Sequence, residues 1–365
     1  MRVLLASPGM QIGGAEQVVT VLAAGLAQRG HQLALSGVPG PLDDQISDLP
    51  VQRLRLEERG RSPLGLARDA ARLAVFVRGF RPHVIHAHNP RMSVAAALGA
   101  RLGLGPRRPP LLATVHGLGP SDYRAAAFAL RAAADRVASV SQETASELAG
   151  FGLTADVVYN GVEAGPPLSP DARSMLDAEL GLDGGPVLAA VGRLASHKNH
   201  ERFLVAAAEI LHTEPEARFL LVGAGPQRAH LERQAGELGI ADRVRFTGAR
   251  FDVRALIARA DLFVCSSDWE GHSVAALEAL AAGTPVVSTP VEGMRALMAE
   301  GAAVVAADRS SSSLARAALD LLRDPRRREA LGAAGMRAAS ERFAADAMVE
   351  AYDRMYAAMT RGCRV

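Results

Sequence analysis

The chain has 365 residues, enough for two domains at roughly 100–200 residues each, and is 49% hydrophobic and 22% charged, which excludes disorder and fits a globular fold with ample core. Its apolar runs break well before the ~18 residues of a membrane span, Met1–Ala6 is too short and too soon followed by Pro8 and Gly9 for a secretory signal, and two cysteines, Cys265 and Cys363, exclude a disulfide scaffold or a cysteine zinc site, so the expected location is the cytoplasm. With 41 basic and 39 acidic residues, net +2, the charge carries no nucleic-acid signature, and no nucleic-acid partner is expected.

Strand-like and helix-like segments alternate along the chain. Val3–Ser7 is a short apolar run, followed by the glycine-rich Gly9–Gly14. Ala15–Gln28 carries apolar residues at helical spacing (Val18, Val19, Leu22, Leu26) and stops at Gly30. Strands at Leu33–Ser36, Val84–Ala87, Leu111–Val115, Val137–Val140 and Val157–Tyr159 interleave with helices at Leu64–Val77, Ser93–Leu102, Tyr123–Ala134 and Thr144–Ala149. Ala164–Pro170 (AGPPLSP) breaks the pattern and reads as a linker. Alternation restarts with strands at Val187–Val191, Arg218–Val222, Val244–Thr247, Leu262–Cys265 and Pro285–Ser288. The helices between and after them are His200–Leu211, Ala229–Leu238, Val253–Arg259, Val274–Ala282 and Met294–Met298. A last helix spans Ala344–Met359. This order predicts an α/β fold of two doubly wound parallel-sheet domains, 1–164 and 165–343, facing a cleft into which the post-strand loops point.

Charge divides unevenly. Residues 1–164 hold 17 Arg against 13 acids and residues 165–365 hold 24 basic against 26 acidic residues; Val51–Pro82 alone carries eight Arg and three acids. The basic residues are 40 Arg and a single Lys, Lys198. His197 precedes it, so no Gly-Lys-Ser/Thr phosphate loop exists in the chain. Leu64–Val77 is apolar on much of its face and flanked by Arg, which suits either a solvated surface helix or peripheral contact with a membrane.

Five post-strand segments can carry chemistry. Gly13-Gly14-Ala15-Glu16 opens a helix whose N-terminus and free backbone N–H groups suit an anion, or makes an ordinary turn. Gly192–Asn199 offers Arg193 and Lys198 to an anion, as a fork and a point charge. Gly223-Ala224-Gly225-Pro226-Gln227-Arg228 has Arg where a dinucleotide fingerprint needs its third glycine, and reads as a turn with some nucleotide contact. In Trp269–Pro285, Ser273 caps a helix that ends at Gly283, Glu270 lies in the loop, and Glu278 sits within an apolar helix where a carboxylate needs a partner or ligand. His116, in Thr114-Val115-His116-Gly117, stands at a strand end. His86-Ala87-His88 shows two imidazoles and no third ligand, and there is no Asp-x-Asp, so no metal site is expected.

GGAEQVV, VIHAHNP, TVHG, SVSQ, VVYNGVE, VGRLASHKN, LLVGAGP, VRFTG and EGHSVAALEALAAGTPVV, in this order over essentially the whole chain, resemble glycosyltransferase family 4, retaining enzymes of the GT-B fold with two Rossmann-like domains. The resemblance implies a terminal helix, 344–365, that packs back on the first domain. It implies a nucleotide-sugar donor, UDP-linked in preference to GDP-linked, and a hydroxyl-bearing acceptor, with no cofactor or metal. Gly13 and Gly14 would lie near the donor phosphates. Arg193 and Lys198 would clamp the diphosphate, Glu278 would hold the ribose, and Glu270 would lie near the transferred sugar. Backbone N–H groups of Gly271, His272, Ser273 and Val274 would serve sugar and phosphate, the base would lie near Val244–Gly248, and His116 would stand by the reacting sugar and acceptor. Domain closure would exclude water, and the acceptor would attack from the leaving-group face. The loops Gly37–Gly65 and Gly117–Tyr123 would read the acceptor. Where the family often has Gly-Phe-Gly or Gly-Phe-Pro, this chain has Gly271-His272-Ser273, which leaves the donor sugar open. An epimerase or hydrolase on the same fold, and a non-catalytic nucleotide-sugar-binding protein, are the competing readings.

Overall fold

The computed structural model describes residues 1–57, 62–182 and 184–361. Residues 58–61 of the loop Gly37–Gly65, and residues 362–365 of the expected terminal helix with Cys363, lie outside the described residues. The chain divides into two compact units, Met1–Gly161 joined by the chain from Ala345 on, and Val162–Ala344.

The first unit is a parallel sheet of β1 (Arg2–Gly9), β2 (Gln32–Val38), β3 (Val51–Arg55), β4 (Val84–Ala87), β5 (Leu111–Val115), β6 (Arg136–Ser139) and β7 (Asp156–Val157), in the order β3-β2-β1-β4-β5-β6-β7. The second holds β8 (Val187–Val191), β9 (Arg218–Val222), β10 (Val244–Gly248), β11 (Leu262–Cys265), β12 (Val286–Ser288) and β13 (Ala303–Val305), ordered β10-β9-β8-β11-β12-β13, again all parallel. Central strands covered by helices on both faces need continuous apolar sequence, and Val3–Ala6 and Phe219–Leu221 are fully buried. In each sheet the strand order reverses direction beside its first strand, between β1 and β4 and between β8 and β11. Ligands of such sheets bind at these switch points, beyond the strands' C-terminal ends.

The helix Ala345–Arg361 packs on the first unit. It crosses the helix Gly14–Gln28 at Gly25, where an added Cβ would lie 2.7 Å from Val349 Cγ2. Tyr352 and Tyr356 are fully buried, each contributing on the order of 3 kcal/mol by area. Their hydroxyls are satisfied inside the sheet: Tyr356 Oη lies 2.7 Å from His86 Nδ1, and Tyr352 Oη 3.1 Å from Thr114 Oγ1.

Several elements depart from the sequence pattern. The stretch Ala164–Pro170 belongs to the second unit, and its end is a helix start. Ser169 caps Pro170–Leu180 by accepting from the Ala172 N–H at 3.2 Å, and Pro170 occupies the first turn, where no N–H is needed. The edge strand β3 (VQRLR) buries little and so carries no strong apolar signal. The helix Ser311–Leu322 buries Leu314, Ala315, Ala318 and Leu321, whereas the helix Pro325–Glu341, rich in Ala and Arg, buries only Gly332, Gly335, Ala338 and Ala339.

Candidate active site

The loops after β8 and β11 are stitched into one structure at the second switch point. After β8 the chain passes Gly192, whose φ is +159°, and makes a short turn at Ser196–Lys198. Asn199 follows in the left-handed region at φ +45°, which Asn tolerates better than most residues, and its side chain caps the helix His200–Leu211 by accepting from the Arg202 N–H at 3.1 Å. The other end of the same amide donates to Asp268 Oδ1 at 3.2 Å. Arg202 donates to Asp268 Oδ1 at 2.8 Å and to the Ser266 carbonyl at 2.5 Å. The Asp268 N–H donates to the His197 carbonyl at 2.8 Å, and the His197 and Trp269 rings stack at 4.4 Å.

This stitching brings Lys198 to Glu270. Nζ donates to Oε1 at 2.6 Å, and Ser267 Oγ donates to the same oxygen at 2.6 Å. Burial alone would raise the Glu270 pKa. The Lys198 charge, with hydrogen bonds from Lys198 and Ser267, outweighs it and holds Glu270 below the usual carboxylate range. Burial likewise opposes the Lys198 charge, but Glu270 overcomes it and raises the lysine pKa. Glu270 Oε2 accepts no hydrogen bond among the described residues. Arg193 is exposed and its guanidinium has no hydrogen-bond or ion-pair partner among them.

Gly271 follows, buried, and then His272, whose pKa burial pushes down to about 3, with Arg342 adding to the shift, so it is a neutral imidazole at pH 7. Ser273 caps the helix Val274–Ala282, its hydroxyl accepting from the Ala276 N–H at 3.4 Å. Glu278 lies one turn in and makes no hydrogen bond or ion pair among the described residues. Burial pushes its pKa up to about 7, and the more distant Arg254 charge offsets only part of this. Gly248 ends β10 and its carbonyl accepts from the Gly223 N–H at 2.9 Å. A Cβ on Gly223 would meet the Gly192 carbonyl oxygen at 1.9 Å, and one on Gly225 the Leu194 carbonyl oxygen at 2.4 Å. The glycines of Gly223–Arg228 are therefore required by close packing of backbone on the loop after β8.

Gly13, Gly14 and His116 belong to the first unit. Gly13 caps the helix Gly14–Gln28 in extended geometry, and the Glu16 carboxylate folds back over it. A phosphate bound at this helix start would have to displace that carboxylate. His116 sits at the end of β5 with its Nε2 3.1 Å from His88 Nδ1, and burial lowers its pKa to about 4. The sequence shows His88 as half of a His86–His88 pair; the fold makes it the neighbour of His116. Among the described residues no three His, Cys, Asp or Glu side chains are gathered so as to hold a metal ion, and no helix is long and apolar enough to cross a membrane.

Two family models match, glycosyltransferase family 4 over residues 12–165 and glycosyl transferases group 1 over residues 174–338. A 2-deoxystreptamine N-acetyl-D-glucosaminyltransferase of Streptomyces fradiae is 31% identical over 96% of this chain and 92% of its own. The chain belongs to glycosyltransferase family 4. Another relative of this family-4 chain, a GDP-mannose-dependent α-(1-6)-phosphatidylinositol monomannoside mannosyltransferase of Mycolicibacterium smegmatis, is 34% identical over 63% of this chain, a match spanning 65% of the relative's own length. The crystal structure of Anabaena HepE in complex with UDP and glucose superposes with a TM-score of 0.86 at 22% identity, covering 98% of this chain and 99% of that one, which establishes the GT-B fold of two Rossmann-like domains. Ser267 and Asp268, bonded to the loops that carry Glu270 and Lys198, and His88, bonded to His116, are not among the candidates that the sequence marks. The first two stand directly after β11 in SSDWE, the position where switch-point loops carry function.

Proposed function

We propose that this chain transfers a sugar from a nucleoside-diphosphate donor to an acceptor hydroxyl, with retention of the anomeric configuration and without a metal, in glycolipid, polysaccharide or natural-product synthesis in the cytoplasm. The observation that carries the reading is the Lys198–Glu270 pair at the second switch point, with Arg193 unpaired on the same loop. As the sugar–diphosphate bond breaks, negative charge grows on the leaving phosphate. Arg193 and Lys198, with the backbone N–H groups of Gly271–Val274, are the preorganised groups assigned to it. Glu270 turns its free Oε2 to the sugar, and Glu278 accepts from the ribose hydroxyls. Gly248 borders the base, and Gly13 and Gly14 border the phosphates once Glu16 has moved aside. The acceptor hydroxyl attacks from the face that the diphosphate leaves, a phosphate oxygen takes its proton, and His116 attends the acceptor.

UDP is the favoured donor base, in keeping with the UDP complex of HepE; the mannosyltransferase relative supports GDP as the competing one. The helix Pro63–Phe80 exposes Leu64 and Val75 beside the exposed Arg68, Arg72 and Arg78, chemistry suited to peripheral contact with an anionic lipid surface. Co-sedimentation with anionic and neutral vesicles tests that contact.

The test of the main reading is calorimetry and thermal shift with UDP, GDP, ADP and TDP, each with EDTA and with Mg²⁺. A ligand that binds only the folded chain must raise its melting temperature. Equal stabilisation by one diphosphate with and without metal, lost in Lys198→Ala, is the expected result. No response to any of the four overturns the reading. Retention is then read from the anomeric proton coupling of the product.

A further inference from the structure

The first unit gathers three imidazoles. His86 is saturated: Nδ1 lies 2.7 Å from Tyr356 Oη and Nε2 lies 2.7 Å from Thr114 Oγ1. His88 and His116 are different. They meet through one nitrogen each, His88 Nδ1 and His116 Nε2, at 3.1 Å. Their outer nitrogens, His88 Nε2 and His116 Nδ1, are buried without a hydrogen-bond partner among the described residues. Burial keeps both rings neutral at pH 7, with His88 held well below the usual imidazole value.

A neutral imidazole has one N–H and one bare nitrogen. The bond between Nδ1 of one ring and Nε2 of the other therefore fixes both protons. If His88 Nδ1 donates, His116 Nε2 is bare and the His116 proton sits on Nδ1. If His116 Nε2 donates, His88 Nδ1 is bare and the His88 proton sits on Nε2. Both rings always share one tautomer, and the two outer nitrogens are always one donor and one acceptor.

We infer that His88 is a positioning residue for His116, and that the hydrogen-bonded pair is a single tautomer-locked unit offering one donor and one acceptor to a hydroxyl-bearing ligand. A hydroxyl both donates and accepts, so it is the group that complements such a pair. The inference rests on the proposed function only in equating that ligand with the acceptor; the lock stands on the ring geometry.

The experiment is long-range proton–nitrogen NMR of the full chain labelled with ¹⁵N-histidine at neutral pH, the two rings assigned with His88→Phe and His116→Phe. The wild type is expected to show the same tautomer, or the same ratio of the two, in both rings, and His88→Phe to change the His116 ratio. Unequal tautomer populations in the two wild-type rings, or an unchanged His116 ratio in His88→Phe, overturns the lock. The wild-type spectrum decides this even if the variant does not fold. Titration with D-glucose as a hydroxylated probe is expected to shift both rings, and no shift of either overturns the ligand half of the proposal. Calorimetry with UDP and GDP on the same sample keeps the two readings apart: loss of diphosphate binding in the wild type sinks the donor assignment and leaves the histidine lock standing.

Discussion

Lys198 Nζ and Glu270 Oε1 lie 2.6 Å apart although 72 residues separate them in the chain. The two strands that deliver them, β8 and β11, are neighbours only because the sheet order reverses there. Removing one partner of a fully buried ion pair leaves the other uncompensated, at about 3–5 kcal/mol, and this pair, with side chains 19% and 9% exposed, sits at or below the lower end of that range. Lys198→Ala is expected to lose stability of that order at pH 7, and Lys198→Ala/Glu270→Gln to recover part of it. The pH dependence separates this from a generic packing loss. In the wild type the Glu270 pKa is depressed, so its contribution is present above the ordinary value of 4.5 and is lost as pH falls through the lower folded value. In Lys198→Ala the deficit shrinks as pH falls, because the stranded carboxylate can protonate. Urea unfolding of the three proteins between pH 5 and 8 measures this, and a deficit that does not change with pH contradicts it.

Glu278 behaves in the opposite sense. Its pKa is raised to about 7 from an ordinary 4.5, so between those values the folded chain binds the extra proton. Its penalty on stability is complete above pH 7 and is relieved as pH falls towards 4.5, by up to ~3 kcal/mol. Glu278→Gln is expected to flatten this part of the stability curve. Ribose hydroxyls that donate to the ionised carboxylate favour proton release, so diphosphate affinity is expected to rise from pH 5.5 to 8 in the wild type and not in Glu278→Gln. Calorimetry across that range checks both, and parallel curves for the two proteins refute the assignment.

The sequence makes the paired sheets and most of their helices legible because buried parallel strands and capped amphipathic helices impose strong local patterns. Phe219–Leu221, inside the strand Arg218–Val222, is such a run. What it conceals is governed by distant contacts. β3 exists because β2 offers its edge, and VQRLR alone does not announce that. Helix Pro325–Glu341 presents small residues to its neighbours, so its apolar period is faint. At the site, spacing marks Lys198, Glu270 and Glu278 as candidates, but nothing local shows that Ser267 donates to Glu270 or that Asp268 ties Arg202 and Asn199 together. His88 likewise reads as one of two alternating strand residues until β5 brings His116 beside it.

The terminal helix gives a graded test of buried hydrogen bonding. Tyr356→Phe removes the one partner that His86 Nδ1 has among the described residues and leaves a buried nitrogen unsatisfied, at about 1–3 kcal/mol. Tyr352→Phe costs less, because Thr114 Oγ1 keeps its bond to His86 Nε2. Urea midpoints in the order wild type, Tyr352→Phe, Tyr356→Phe are expected. The reverse order of the two variants would mean that the Thr114–Tyr352 bond, not the His86–Tyr356 bond, fastens the helix.

Gly293 tests whether the site depends on the exact seating of the loop that carries Glu270. It lies in the short turn Glu292–Met294 with Met294 and Leu297 fully buried behind it. Its φ is not in the left-handed region, so the backbone conformation alone would admit alanine. Space does not: a Cβ would stand 2.5 Å from the Gly271 carbonyl oxygen and 2.6 Å from that of Glu270. Both obstacles are backbone, and the packed turn has no room to retreat, so the loop carrying Glu270 and Gly271 must shift. Relieving those contacts takes a shift on the order of 0.5–1 Å, which carries the 2.6 Å bond from Lys198 past ordinary hydrogen-bond length. Gly293→Ala is therefore expected to cost about 1–3 kcal/mol in stability while weakening diphosphate binding by about tenfold or more, which is ~1.4 kcal/mol or beyond. Calorimetry with UDP and GDP, run beside urea unfolding of the same protein, separates the two effects. Undiminished binding in a destabilised Gly293→Ala chain would show that the seating of Glu270 does not govern how the diphosphate is held.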